Sequence, residues 1–267
     1  MTADPTYRGF ALDAETALAL LQWQAEMGAD EPCLDAAIDR YDLPDRAEIA
    51  AAAPKPAPAA RPRDEAEDLT ARAEAMAAGA ASLTALAEAQ EAFDGIELRK
   101  GARNFCFADG NPGARVMIVG EAPGEEEDRQ GRPFVGRAGQ LLDLMFQAIG
   151  LSRKAVDAEK AIYITNVLPW RPPQNRRPEP GEIAMMLPFL RRHVELVQPD
   201  MLVLMGNTPC IALLNQQGIL KLRGTWTEAF GLPALPMTHP AYLLRAPLAK
   251  REAWADLLSL SARLDGG

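Results

Sequence analysis

Asn166 stands where an apolar run, Ile162-Tyr-Ile-Thr-Asn166, gives way to a basic, proline-rich stretch holding Arg171, Arg176 and Arg177 among Pro169, Pro172 and Pro173. A strand ending there delivers an amide, with its donor and its acceptor, into a site. Proline fixes φ, so the arginines that follow ride on stiff backbone. An amide reader beside a cationic rail suits a protein that inspects a base while holding phosphates. His239 closes another apolar run and precedes Pro240, where an imidazole can donate to a developing anion. Glu121 closes a third, inside Gly120-Glu-Ala-Pro-Gly124. A Gly-x-x-x-Gly turn after a strand suggests a phosphate cradle. Here Glu121, Glu125, Glu126, Glu127 and Asp128 crowd the loop and no Gly-Lys-Ser/Thr follows, so nucleotide phosphate is disfavoured. An acidic helix cap accounts for Glu125 and Glu126, but not for Glu121 at the strand tip.

Three further residues admit two readings each. Phe134, in Gly131-Arg-Pro-Phe-Val-Gly-Arg-Ala-Gly139, is either a stacking platform on a loop or a core plug. Leu243 and Leu244 beside Arg245 form either an apolar wedge of the kind that enters base stacks or a helix start tucked onto the core. His193 lies in Arg191-Arg-His-Val-Glu195 and reads as a solvated surface residue.

The elements that must position these groups alternate. Apolar runs at 115–120, 161–166, 200–206 and 234–239 read as strands, the last weakened by Pro236, which lacks a ladder donor. Helical patterns fall at 137–150, 180–197, 207–215 and 247–264. Strand and helix in alternation, with continuously apolar strands, predict a three-layer α/β/α fold around a central four-stranded parallel sheet. Ligands in such sheets lie beyond the C-terminal strand ends, which are Gly120-Glu121, Asn166, Gly206-Asn207 and His239. Before this core, residues 1–49 read as an acidic helical extension, with amphipathic patterns at 12–29 and 31–40. An Ala/Pro-rich linker over 50–63 and a helix over 64–92 lead into a domain spanning 93–265.

Composition sets the outer limits. The chain has 267 residues, 48% of them hydrophobic, and a net charge of −9. The acidity is local: residues 1–92 carry 7 Lys and Arg against 18 Asp and Glu, whereas residues 93–267 carry 21 against 19. Whole-chain charge therefore says little about the catalytic part. No apolar run reaches the ~18 residues of a membrane span, and the N-terminus lacks the basic-then-apolar order of a signal peptide. A cytoplasmic protein is expected. Cys33, Cys106 and Cys210 are odd in number and scattered, which argues against a disulfide framework.

Taken in order, Gly120-Glu-Ala-Pro-Gly-Glu-Glu-Glu-Asp128, Gly131–Gly139, Asn166-Val-Leu-Pro-Trp-Arg-Pro-Pro-Gln-Asn-Arg176 and His239-Pro-Ala-Tyr-Leu-Leu-Arg245 resemble the family 4 uracil-DNA glycosylases over roughly residues 93–262. The resemblance implies a monofunctional DNA repair enzyme that hydrolyses the N-glycosidic bond of uracil and leaves an abasic site. It implies that Glu121 and Asn166 contact the flipped base, that Phe134 stacks on it, and that His239 donates to the pyrimidine oxygen. Gly120, Ala122, Pro123, Gly124, Glu127 and Asn175 would complete the base pocket, with Glu127 crowding the C5 edge. Arg171, Arg177 and Arg245 would hold phosphates, and Leu243 and Leu244 would fill the gap left by the base. Uracil-containing DNA, single- or double-stranded, is the expected partner of a monomer, and residues 1–92 are a candidate docking segment for a protein. A superfamily member that only binds uracil-DNA, or excises another deaminated base, is the alternative. A flavodoxin-like enzyme acting on a small molecule is a further one, disfavoured by the acidic loops.

The chain departs from the resemblance in one respect. Family members hold a [4Fe–4S] cluster with four cysteines. The matching positions are Phe93, Ile96, Trp170 and Met186. Such clusters need thiolates, so no cofactor is expected. The four hydrophobic replacements predict an apolar plug.

Overall fold

A computed structural model describes residues 6, 7, 10, 11, 16, 18, 19 and 63–266. The chain divides into two compact units, Met1–Ala60 and Arg61–Gly267. In the first, Thr6–Tyr7 pairs antiparallel with Phe10–Ala11. The helices expected over 12–29 and 31–40 and most of the linker lie outside the described residues, apart from Thr16, Leu18 and Ala19, which are helical.

The second unit opens with α1 (Arg63–Gly79) and α2 (Leu83–Ala92). One helix was expected here. The break falls at Gly79, and Ser82 restarts the helix by accepting from the Ala85 N–H at 3.2 Å, a favoured N-cap. There follow β1 (Ala108–Gly110), β2 (Val116–Gly120), α3 (Glu125–Gln130), α4 (Arg137–Gln147) and β3 (Ile162–Asn166). Next come α5 (Pro180–Val197), β4 (Met201–Met205) and α6 (Asn207–Leu214). The chain closes with β5 (Thr227–Ala229), β6 (Leu232–Met237), α7 (Pro240–Arg245) and α8 (Lys250–Asp265).

The sheet runs β1-β3-β2-β4-β6-β5. Its inner four strands are parallel, as the apolar runs predict, and β1 and β5 add short antiparallel edges. Pro236 is tolerated inside β6. Its carbonyl accepts from the Gly224 N–H at 3.0 Å, on the side away from β4, so its missing donor is not one that β4 needs. Alternation along the strands divides the core. Val116, Ile118, Ile162, Ile164, Val203 and Leu235 pack under α4, α7 and α8. Met117, Val119, Tyr163, Leu202 and Leu204 pack under α5 and α6. Each fully buried side chain of this size contributes about 1.5–3 kcal/mol.

His193 belongs to the second layer and is not solvated. It is buried, its Nε2 lies 3.0 Å from the Tyr163 hydroxyl, and its ring stacks on Phe107. Burial lowers its pKa to about 3, so the imidazole is neutral.

Candidate active site

Parallel register brings the tips of β2 and β3 level, with Gly120 opposite Asn166. The Val167 N–H then bonds the Gly120 carbonyl at 2.9 Å, and the Leu168 N–H bonds the Glu121 carbonyl at 3.1 Å. The segment carrying the amide and the segment carrying the carboxylate are thereby fixed to each other. A cavity of about 210 Å³ opens beyond these tips. It is lined by Glu121, Ala122, Pro123, Gly124, Glu127, Phe134, Asn175 and His239, together with Ala138, Pro172, Arg176 and Ala241. Gly120 and Asn166 sit just behind this lining. A Cβ built on Gly120 would fall 2.3 Å from Asn166 Oδ1 and 2.4 Å from the Phe134 ring. Only glycine lets the amide and the ring meet there. Asn166 is 5% exposed, and its Oδ1 has no hydrogen-bond partner among the described residues. A buried acceptor left unpaired is costly, and here it marks a place made for a donor.

Phe134 is held from its backbone. Its φ is +53°, a left-handed conformation that a bulky residue seldom adopts. Gly139 of α4 makes room for it, since a Cβ there would lie 1.8 Å from the Phe134 carbonyl oxygen. From the other side, Arg153 Nη1 donates to the Pro133 carbonyl at 3.0 Å and to Asp109 at 3.1 Å. The ring stacks against His239 with centroids 5.3 Å apart.

His239 caps α7. Its Nδ1 accepts from the Ala241 N–H at 3.1 Å, so in the neutral ring the proton sits on Nε2. Burial pushes the pKa down to about 4, opposed by Glu127 and assisted by Arg245. At neutral pH the site therefore presents an uncharged Nε2–H donor.

The acidic loop is spent on structure, which the sequence left open. Glu127 Oε1 accepts from the Val135 and Gly136 N–H groups at 2.9 and 2.8 Å, which ties α3 to the Phe134 loop. Asp128 is buried and accepts from the Arg103 and Asn104 N–H groups. Glu126 pairs with Arg129. Glu121 is different, for its Oε2 accepts from the Thr208 hydroxyl at 2.7 Å. Thr208 was not anticipated. It stands on α6 far along the chain, and no motif marks it.

The basic stretch divides in two. Arg176 forms a bidentate pair with Glu182, at 2.9 and 2.5 Å, and Glu182 is 7% exposed. Glu182 also accepts from the Glu179 N–H. That guanidinium is therefore structural, not part of a free rail. Arg171 Nε donates to Asn175 Oδ1 at 2.8 Å, across a turn in which Gln174 and Asn175 both have positive φ. Arg177 and Arg245 are exposed. The leucine wedge needs correction. Leu243 is buried at 1% exposure among the α4 and α8 side chains, whereas Leu244 is exposed. On a helix, neighbouring residues point about 100° apart, so one of the pair faces the core.

Phe93, Ile96, Trp170 and Met186 do converge. All four are buried in one cluster with Leu86, Leu98, Leu168 and Phe189. Phe93 meets Phe189 edge-on at 5.6 Å, and Trp170 packs on Phe105 at 5.4 Å. The one heteroatom acceptor these four side chains offer, Met186 Sδ, faces the Gln90 amide at 3.7 Å. Two hydrocarbon side chains, an indole and a thioether do not fit a cluster that needs four thiolates.

A family model described as the uracil DNA glycosylase superfamily matches residues 107–258. Among individual proteins, the chain is 41% identical over 145 residues to the type-4 uracil-DNA glycosylase of Thermotoga maritima, covering 53% of this chain and 72% of that protein. It is 40% identical to the type-4 enzyme of Sulfurisphaera tokodaii, over 54% of this chain and 67% of that one. To the type-4 enzyme of Saccharolobus solfataricus it is 36% identical, over 63% and 80%.

Proposed function

The chain belongs to the uracil-DNA glycosylase superfamily, and from that premise we propose that it removes uracil from DNA by hydrolysing the N-glycosidic bond, leaving an abasic site. The observation that carries this reading is a buried, unsatisfied Asn166 Oδ1 just behind a cavity that is lined by a neutral His239 protonated on Nε2.

A base within a duplex is unreachable, so the nucleotide must be extruded, at a cost of a few kcal/mol. In the cavity, uracil N3–H satisfies Asn166 Oδ1 and the amide N–H group reads O4. Cytosine presents the reverse pattern at that edge and leaves the amide mismatched. Phe134 stacks on the base, within a pocket completed by Gly120, Ala122, Pro123, Gly124 and Asn175. Glu127, immobilised by two N–H groups, stands against the C5 edge. As the C1′–N1 bond breaks, its electron pair passes to the base. His239 stabilises the resulting anion at the pyrimidine oxygen by donation, without full proton transfer. Water adds to C1′ and releases a proton. Glu121 offers its remaining oxygen to that water or to a base N–H. Arg171, Arg177 and Arg245 hold phosphates, and Leu244 fills the vacated stack.

The same reading takes the enzyme to work without an iron–sulfur cluster, because hydrophobic packing fills the place that one would occupy. It further takes the enzyme to be a cytoplasmic monomer acting on single- or double-stranded uracil-DNA, with residues 93–265 as the catalytic domain and residues 1–92 available to a protein partner. The test is release of uracil from a labelled single-stranded oligonucleotide by the purified chain. Binding without release favours a binding module instead. Iron analysis and a visible spectrum of the same preparation should show no metal, and stoichiometric iron sinks the cluster-free reading.

A further inference from the structure

We infer that Thr208 is a positioning residue for Glu121, setting which carboxylate oxygen faces the reacting centre. This rests on the reading of Glu121 as a site residue given above. β2 and β4 are neighbours in the sheet, so the loop after β2 and the first turn of α6 after β4 meet at the strand tips. Glu121 comes from the first and Thr208 from the second. Thr208 is 5% exposed, and its hydroxyl donates to Glu121 Oε2 at 2.7 Å. A hydroxyl has one proton to give. Here it goes to a carboxylate 87 positions away, and Thr208, as the second residue of α6, has no preceding helical turn whose carbonyl could take it instead.

The rest of Glu121 is anchored as well. Its carbonyl accepts from the Leu168 N–H, which fixes the backbone, and the Thr208 bond fixes the end of the side chain. Two of the carboxylate's degrees of freedom are thus set by elements from opposite sides of β2. Among the described residues no donor reaches Oε1, on a side chain that lines the cavity. A carboxylate ordered in this way meets water or a base N–H without first giving up rotamer freedom, which is the gain from preorganisation. Without Thr208 the carboxylate still reaches the cavity, but over several orientations.

The test is a cycle of Thr208→Val, Thr208→Ser, Glu121→Ala and the Thr208→Val/Glu121→Ala double variant, with single-turnover uracil release and melting temperature measured for each. Thr208→Val keeps the shape and loses the donor. It is expected to lower kcat by roughly 10- to 100-fold, the range for a hydrogen bond to a charged group, with KM within about twofold and the melting temperature unchanged. Thr208→Ser restores the hydroxyl and should return kcat to near the starting value. In the Glu121→Ala background, Thr208→Val should cost almost nothing further, because the residue acts through the carboxylate. An equal loss in both backgrounds, or full kcat in Thr208→Val while Glu121→Ala is impaired, overturns this inference alone. Full kcat in Glu121→Ala overturns the role of Glu121 and this inference with it, and a chain that releases no uracil overturns the functional reading on which both stand.

Discussion

Asn166 and Trp170 are separated by one short loop, yet they belong to regions built on opposite rules. Around Trp170 the packing is apolar and closed. Phe93, Ile96, Met186 and Phe189 close on one another, and even the Gln90 amide finds the Met186 sulfur. Around Asn166 polar atoms are left open. Among the described residues Asn166 Oδ1 is buried without a partner, as is Thr238 Oγ1 one position before His239, and Phe134 is held at positive φ. Such features raise the energy of the folded state and persist where the surroundings over-determine them. The contrast teaches that stability and chemistry have been placed in adjoining but distinct sets of side chains. The saturated region supplies rigidity at the base of the loop, and the unsaturated one uses it.

The strongest way to break that comparison is Trp170→Ala. We expect about 3–5 kcal/mol of lost stability, the usual cost of removing a large buried aromatic. Thermal unfolding checks it, and adding a chelator should change nothing. Collapse of kcat with an unaltered melting temperature would instead put Trp170 on the chemical side. The reciprocal change is His239→Asn, which retains a side chain able to cap α7. Its kcat should fall by about 100- to 1,000-fold, as when a donor to a developing anion is removed. Its melting temperature should stay close to that of the parent.

Acid tests the site together with the core layer under α5. Burial holds His239 at about 4 and His193 at about 3, below the ~6.5 of a solvated histidine. Between these values the unfolded chain binds more protons than the folded one. Stability from this source is therefore full above pH ~6.5 and declines as pH falls towards 4, by up to about 1.4 kcal/mol per pH unit for each ring. Urea titrations across that window check the slope, and His193→Gln should remove about half of it. The smallest effect separates two adjacent arginines. Arg177→Ala should weaken DNA binding uniformly across sequences and reduce the salt slope by about one, which is read by fluorescence anisotropy at several salt concentrations. Its neighbour Arg176, committed to the buried Glu182, should affect stability in place of salt dependence.

Much of this was legible in the chain. The four inner strands show as continuous apolar runs because both faces of the sheet are covered. Glu121, Phe134 and His239 stand out because they end strands or sit in loops broken by glycine and proline, whereas Asn175 is marked only by the family resemblance. The rest was hidden for identifiable reasons. β1 and β5 span three residues each, too few for a pattern. His193 was misjudged from its charged neighbours, although Met186, Phe189, Leu190, Val194 and Val197 place it on the buried stripe of α5. Leu243 and Leu244 were treated as a pair when helix geometry sends them to different faces. Thr208 and the Arg176–Glu182 pair depend on partners that only the folded chain brings together.

Gly139 carries a consequence for anyone wishing to retarget the enzyme. Because a single added carbon there meets the Phe134 carbonyl at 1.8 Å, the position offers no gradual route to a new pocket; every replacement moves the aromatic ring as a whole. Ala138, one residue earlier, lines the cavity and already carries a Cβ. A combinatorial library that varies 138 and holds 139 as glycine therefore searches base preference while leaving the ring in place.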